Sequence, residues 1–448
     1  MRNICLTLIA AVGIVALLFV MAGCSEGGNS SAQLGGNTVT LSFTDNNSSP
    51  CNPVCLAFQD GTRAWQRVPI QSSGQYTLTV TNAARKYGIA FVENSTDTTT
   101  AVIYATTHEL NNIPLVKSTA PDMPGSFTIS GSITGNNNHP VPITCDFFGG
   151  AFFGPGYTSY QLTNVPQGMR KLLAANTDLS SGPTARPTRM FMRNIQVDGD
   201  MTNVPETAID LNGSESFPLS TQSLTGLPNS LFLAYVLFAG GGGFQLGNAY
   251  GDTLEYSTLP LDKMPNGGLY AISYSNNSDH YITYSATPVT SIPNNIFPTA
   301  LNRAVTLNEG AVTWQACPGA KIYVLDLFDD AAHALVYATP GWLGESPRLT
   351  LPTALASLDG WQSHTYLPGT INDWRITAVT PSVPLAQYLD YNMMGNGTLG
   401  DGFTIVQSSY EINGNAPNVL HNSLMPGMDD MANHLQRGVL AQHRRTAR

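Results

Sequence analysis

Charge is what this chain has least of. Only 11% of its 448 residues are Asp, Glu, Lys or Arg, less than half the roughly 25% of an average soluble protein, so its polar surface has to come from Ser, Thr, Asn and Gln. No basic run precedes the extreme C-terminus, and 20 Lys and Arg stand against 30 Asp and Glu, a net of −10. Phosphate backbones are held by clustered Lys and Arg that release counterions, which excludes nucleic acid as a partner class. Helical periodicity is nearly absent too. So are the patterns HExxH, GxSxG, GxGxxG and GxxxxGK[ST], and with them the common metalloprotease, hydrolase and nucleotide-binding chemistries. The expectation is a non-catalytic protein with no cofactor and no metal.

What the chain does have is 42 Gly and 29 Pro, and short alternating runs, bounded by Gly, Pro, Asn and Ser, that recur about every dozen residues. This pattern predicts an all-β protein of tandem Ig-like or fibronectin-like β-sandwich domains. The boundaries read from it are a sandwich at 38–117, a second at 123–217, a β-rich domain at 218–298, a fourth domain at 299–410 and a tail at 413–448. That tail forms either a short helix from Asp429 or a frayed end. In the first sandwich Tyr76, Leu78 and Val80 alternate with Thr77, Thr79 and Thr81, the signature of a strand with one buried face. Tyr87 to Val92 is apolar throughout and reads as a strand covered on both faces. Tyr76-Thr77-Leu78-Thr79 followed by Arg85-Lys86 is echoed by Tyr160-Gln161-Leu162-Thr163 followed by Arg170-Lys171, which suggests two copies of one hairpin. Tyr270 to Tyr274 and Tyr281 to Tyr284 flank the turn chemistry of Asn276-Asn277-Ser278-Asp279 and predict another hairpin.

Candidate site residues are few. Cys51-Asn52-Pro53-Val54-Cys55 either closes a small disulfide loop, turned by Pro53, or holds two reduced cysteines; Cys145 and Cys317 leave the pairing open. A CxxxC pair alone is too little for zinc. Phe147, Phe148, Phe152 and Phe153 lie on a Gly-rich stretch and either fill a sandwich end or stand exposed as a protein or glycan contact patch. The same choice applies to Trp65, Trp342 and Trp361, which either stack on sugar rings or anchor a core. Asp198-Gly199-Asp200 and Asp329-Asp330 read as surface turns in preference to calcium ligands.

The first residues give an address. Met1-Arg2-Asn3 carries one positive charge, Ile4 to Val20 is almost wholly apolar, and Met21-Ala22-Gly23-Cys24 follows, an arrangement of n-region, h-region and small-residue cleavage site. Ala22-Gly23-Cys24 resembles the lipobox of bacterial lipoproteins, with Met21 in the place usually held by Leu. That resemblance implies cleavage between Gly23 and Cys24, lipidation of Cys24 and anchorage in the cell envelope; Ser25, not Asp, after the cysteine implies the outer membrane. Several acyl chains, at about 0.8 kcal/mol per buried methylene, make a lasting anchor. Residues 24–37, rich in Ser, Gly and Asn, form a flexible tether.

A second resemblance lies in the fourth domain. Val312-Thr313-Trp314, Gly319 to Leu325, Leu349-Thr350-Leu351-Pro352 and Trp374-Arg375-Ile376-Thr377-Ala378-Val379 resemble the core strands of a fibronectin type III domain, with Trp374 in the usual place of Tyr. It implies a spacer or a binding module. The expected function is therefore a membrane-anchored surface lipoprotein with an adhesion, ligand-binding or spacer role, its partners being membrane lipid through Cys24 and an envelope protein or glycan. Two alternatives stand beside it: a glycan-active or glycan-binding envelope protein, and a structural component of an envelope complex.

Overall fold

A computed structural model describes residues 37–45, 47–93, 99–117, 125–135, 139–146, 148–153, 156–178, 186–238, 243–276, 279–292, 305–308, 310–328, 333–361, 373–394 and 401–413. The chain is all-β, and its strands are layered as β-sandwiches.

The first unit holds β1 (Thr38–Asp45), β2 (Cys55–Asp60), β3 (Gln66–Arg67), β4 (Gln75–Thr79), β5 (Lys86–Val92), β6 (Thr99–Thr106) and β7 (Asn112–Lys117). β1 lies between β4, antiparallel, and β7, parallel. This three-stranded sheet packs Val39, Leu41 and Tyr76 against Leu56, Ile89 and Ile103 of the facing strands. Tyr76 and Leu78 are buried while Gln75, Thr77 and Thr79 are exposed, and Tyr87 to Val92 are all buried, as their patterns require.

In the second unit β8 (Ser126–Thr134), β9 (Val141–Cys145), β10 (Phe148–Phe153), β11 (Ser159–Pro166), β12 (Gly168–Asp178), β13 (Arg186–Val197), β14 (Met201–Thr202), β15 (Ile209–Asp210) and β16 (Ser216–Pro218) repeat that plan. β8 pairs β11 antiparallel and β14 and β15 parallel, opposite the sheet β10-β9-β12-β13-β16. The two echoed motifs do occupy equivalent places, but neither is a hairpin. β4 pairs β1 and β11 pairs β8 in one sheet, whereas β5 pairs β2 and β6, and β12 pairs β9 and β13, in the other. Each motif is an arch that crosses the core, because both its strands have a buried face and only by changing sheets do those faces meet.

The third stretch contributes β17 (Ser220–Leu237), β18 (Gly243–Thr258), β19 (Leu269–Asn276) and β20 (Asp279–Ser285). β19 and β20 form the expected hairpin, closing at Asn276↔Asp279. β17 and β18 form a longer one that doubles back on itself. A Cβ added at Gly247 would lie 2.8 Å from the Cβ of Tyr256 in the same strand, whereas nine residues of straight strand span about 30 Å. The fold-over coincides with slips in pairing between Thr225 and Ser230 and between Ala234 and Tyr235, the irregularities by which a strand passes from one sheet to another. Leu224 and Tyr256 thereby join Phe232, Val236 and Phe244 in one core.

The fourth stretch holds β21 (Thr306–Asn308), β22 (Ala311–Thr313), β23 (Ile322–Phe328), β24 (His333–Ala338), α1 (Pro340–Leu343), β25 (Arg348–Thr350), β26 (Asp373–Pro381), α2 (Leu385–Met394) and β27 (Thr404–Asn413). Its strands form a three-stranded sheet, β21-β22-β25, and the four-stranded run β27-β26-β23-β24. Trp314, Tyr323, Leu349, Leu351, Trp374 and Ile376 share its core.

These units are fused side by side. β20 pairs β27 and β24 pairs β6, so that twelve strands run in the order β18-β17-β19-β20-β27-β26-β23-β24-β6-β5-β2-β3. Free strand edges are templates for unwanted pairing, and here β20 and β27, and β24 and β6, cover each other's. Another edge, β7, is covered by α2, whose Asp390 Oδ1 accepts the Val116 N–H at 2.6 Å. Among the described residues no helix is long and apolar enough to cross a membrane.

Asp60, the last residue of β2, ties that strand to the β4–β5 connection. Its carboxylate accepts the Thr81 and Asn82 backbone N–H groups, the Thr81 hydroxyl, the Asn82 amide at 2.6 Å and Arg63 Nη1 at 2.9 Å. Burial alone pushes its pKa up, but the hydrogen bonds from Thr81 and Asn82 outweigh it and hold the group at about 2. A depressed carboxylate pKa adds stability above the ordinary value near 3.8 that is lost as pH falls toward 2. Asp60→Asn is expected to remove about 2 kcal/mol at neutral pH and to flatten the acid limb of urea midpoints measured from pH 5 to pH 2 (roughly the carboxylate range).

Candidate functional site

Of the three tryptophans offered as sugar-stacking residues, Trp361 is fully buried and Trp65 is 7% exposed. Both are core residues. Trp361 sits there because the turn before it docks on the first unit: the Cys55 thiol donates to the Gly360 carbonyl at 3.2 Å and Arg67 Nη1 lies 3.0 Å from Asp359 Oδ2. This overturns Trp361 as a ligand-contact residue. Phe148, Phe152 and Phe153 are strand residues of β10, paired with β9; Phe147 lies outside the described residues, as do Gly23, Cys24, Asp329, Asp330 and the tail beyond residue 413.

The disulfide option also gives way to the other. No disulfide joins Cys51, Cys55, Cys145 or Cys317 in the structure. Cys55 is fixed opposite Val92 in the β2–β5 ladder with its sulfur turned toward Gly360, while the Cys51 N–H is held by the Phe43 carbonyl. Burial pushes both thiols above their ordinary pKa. Cys145 and Cys317 belong to separate cores. Asp198 and Asp200 serve turns, accepting from Gln196 Nε2 and the Thr128 N–H at 2.8 Å each. Among the described residues no group of three or more His, Cys, Asp and Glu is placed to hold a metal ion.

Trp342 is different, being only partly buried. It belongs to α1, entered through Pro340 at the first turn and left at Gly344, whose φ is 80°. Its ring lies 4.4 Å from that of Tyr104, which in turn lies 5.9 Å from Trp65. The row is close-packed onto the sheet at Gly88, where an added Cβ would come within 2.9 Å of both Trp65 and Tyr104. Lys86, partly buried, sets its ammonium 5.8 Å from the Trp342 ring centroid, within cation–π range. The result is an aromatic ledge with two buried members, one surface ring and a cation across it.

Glu109 fastens this ledge. Its Oε2 accepts the Thr106 hydroxyl at 2.8 Å, the Thr106 N–H at 3.3 Å and the fully buried Thr339 hydroxyl at 2.5 Å, while Oε1 accepts the Gly341 N–H at 2.7 Å. One carboxylate thus joins the end of β6 to the start of α1. Beside it the exposed His108 has its Nε2 3.1 Å from Arg85 Nη1. Removing the carboxylate strands the Thr339 hydroxyl and the Gly341 N–H. Glu109→Ala is expected to cost about 3 kcal/mol or more, and thermal melts of Glu109→Ala, Thr339→Val and the double variant should show strong non-additivity.

Sequence reading named Trp342 but had no means of joining it to Lys86 and Glu109, since that contact depends on the parallel β24–β6 pairing across more than 200 residues. The Thr339-Pro340-Gly341-Trp342 start signal was the one local clue.

No family model and no curated protein matches the chain. Among solved structures, the Bacillus anthracis TIE protein aligns at 10% identity and a TM-score of 0.14, over 54% of this chain and 45% of that one. The pilus adhesin SpaC from Lactobacillus rhamnosus GG, in its open conformation, aligns at 9% identity and a TM-score of 0.14, over 67% of this chain and 43% of its own. The chain therefore spans less than half the length of either.

Proposed function

We propose that this is a non-catalytic lipoprotein of the bacterial cell envelope, anchored through Cys24, whose fused sandwiches present the Trp342 ledge as a glycan-binding surface. The observation that carries the reading is the ledge itself. An indole face flanked by a cation is the surface that stacks on the C–H face of a sugar ring, and preorganisation by Tyr104, Gly88 and Glu109 means that little ordering is needed on binding. The scarcity of charge elsewhere fits recognition by stacking and hydroxyl hydrogen bonds over recognition by ion pairing.

Two measurements test it. Labelled palmitate should enter the native chain and not Cys24→Ser, and the variant should fractionate as soluble; equal behaviour of the two refutes the anchor. On an array of bacterial and host glycans the chain from Ser25 onward should retain a subset of sugars. Trp342→Ala should lose them at least tenfold while keeping its melting temperature within a few degrees. Binding untouched by that substitution moves the site elsewhere, and retention of envelope proteins without glycans favours the adhesion or structural role.

A further inference from the structure

Away from the ledge, the second sandwich carries a row of three side chains whose chemistry none of the above uses. Asn194 on β13 is the direct cross-strand partner of Lys171 on β12. On the other side of Lys171 comes Asp146, which follows β9: the Asp146 N–H donates to the Lys171 carbonyl at 2.8 Å and the Lys171 N–H returns a bond to Asp146 Oδ1 at 3.1 Å. Lys171 is thus flanked through its backbone by Asp146 on one side and Asn194 on the other. The amine is already directed at the amide, with Lys171 Nζ 3.0 Å from Asn194 Oδ1. Its other neighbour is the buried ring of Phe238, 5.3 Å away.

We propose that Lys171 and Asn194 become joined by an intramolecular isopeptide bond, with Asp146 as the proton-transferring residue. In the reaction the lone pair of uncharged Lys171 Nζ adds to Cγ of Asn194 and a C–N bond forms. The Cγ–Nδ2 bond then breaks. The departing nitrogen takes up the proton shed by Nζ, relayed through the Asp146 carboxyl group, and leaves as ammonia. No oxidant, reductant or external group is consumed. Asn194 is exposed, so the ammonia has a direct exit to solvent, and the ladder holds the reacting groups together, replacing a bimolecular encounter by a fixed contact.

The protonation states required are those the site favours. Burial lowers the Lys171 pKa, opposed by the nearby Asp146 charge, which raises the share of free amine. Burial also lifts Asp146 to about 6, against the Lys171 N–H and the charges of Arg170 and Lys171, so this carboxyl exchanges a proton close to neutrality. Arg170 is the remaining charge, with Nη1 3.7 Å from Asp146 Oδ2.

Peptide mass spectrometry of the full chain purified from cells decides the matter without depending on how its N-terminus is processed. A tryptic digest should contain a branched peptide joining the Lys171 and Asn194 segments, lighter than their sum by one ammonia, with cleavage after Lys171 blocked. Lys171→Arg and Asn194→Ala should each abolish the branch, and Asp146→Asn should leave it unformed or slow its appearance at least tenfold. Recovery of linear peptides from the native chain, with Lys171 cleaved normally and Asn194 at full mass, overturns the proposal. So does a branch that persists in Asn194→Ala.

Discussion

Truncation of Trp361 to alanine is expected to lower the free energy of unfolding by about 3–5 kcal/mol, at the upper end of what a single core substitution costs. The indole is the largest fully buried side chain among the described residues. It lies in a core that draws Ala57, Trp65, Val92 and Tyr104 from one end of the sequence and Trp314, Tyr323, Trp374 and Ile376 from the other. A cavity there cannot close by moving one sheet, because its walls belong to different units. Trp361→Phe, which keeps an aromatic ring and loses less volume, should cost about half as much. Urea midpoints of the two variants measure the difference. A shift under about 1 kcal/mol for the alanine form, within the usual surface range, would mean that the turn carrying Trp361 is not docked as described.

A larger effect still is expected on cutting the chain at the boundary its sequence suggests. A fragment of residues 299–410 contains the strands of a fibronectin-like sandwich, and as an isolated unit of that length it ought to fold. Here it is expected not to. β24 would lose its parallel partner β6 and expose a six-residue edge running His333–Ala338. β27 would lose β20 along with the end of its own strand, and the shared core would lose Ala57, Trp65, Ala90, Val92, Val102 and Tyr104. The four larger side chains among them, at about 1.5–3 kcal/mol each, amount to as much as the 5–15 kcal/mol that holds a typical domain. Dispersed amide resonances or a cooperative melt from the fragment alone would show that the sandwiches are independent after all.

These two results mark where the sequence is informative and where it falls silent. Strand class was legible where a strand obeys a period of two or is a continuous apolar run: Tyr76 and Leu78 point inward and their threonine neighbours outward, and Tyr87 to Val92 is buried on both faces. The turn at Asn276–Asp279 was legible for the same local reason. Strand partners were not. Nothing in Tyr-x-Leu-Thr followed by Arg-Lys distinguishes a hairpin from an arch, since both have the same alternation and differ only in which neighbour supplies the hydrogen bonds. The edge-to-edge fusion was equally hidden, because backbone groups do the pairing and they are identical at every position. Trp361 and Trp342 carry the same side chain on Gly-containing turns, yet one is sealed under Cys55 and Arg67 while the other reaches solvent beside Lys86. Only the long-range contact separates them.

Consider finally the place of β1. It is the first strand among the described residues, and it is neither an edge nor a flap: β4 holds it on one side from Thr38 to Ser42 and β7 on the other from Thr40 to Asp45. A pull applied along the axis of this strand loads both ladders in shear. Hydrogen bonds lying across the line of force have to yield together, whereas those at a peeled edge open one after another. Tension along β1 is thus met by two ladders at once, where an edge strand would meet it with one.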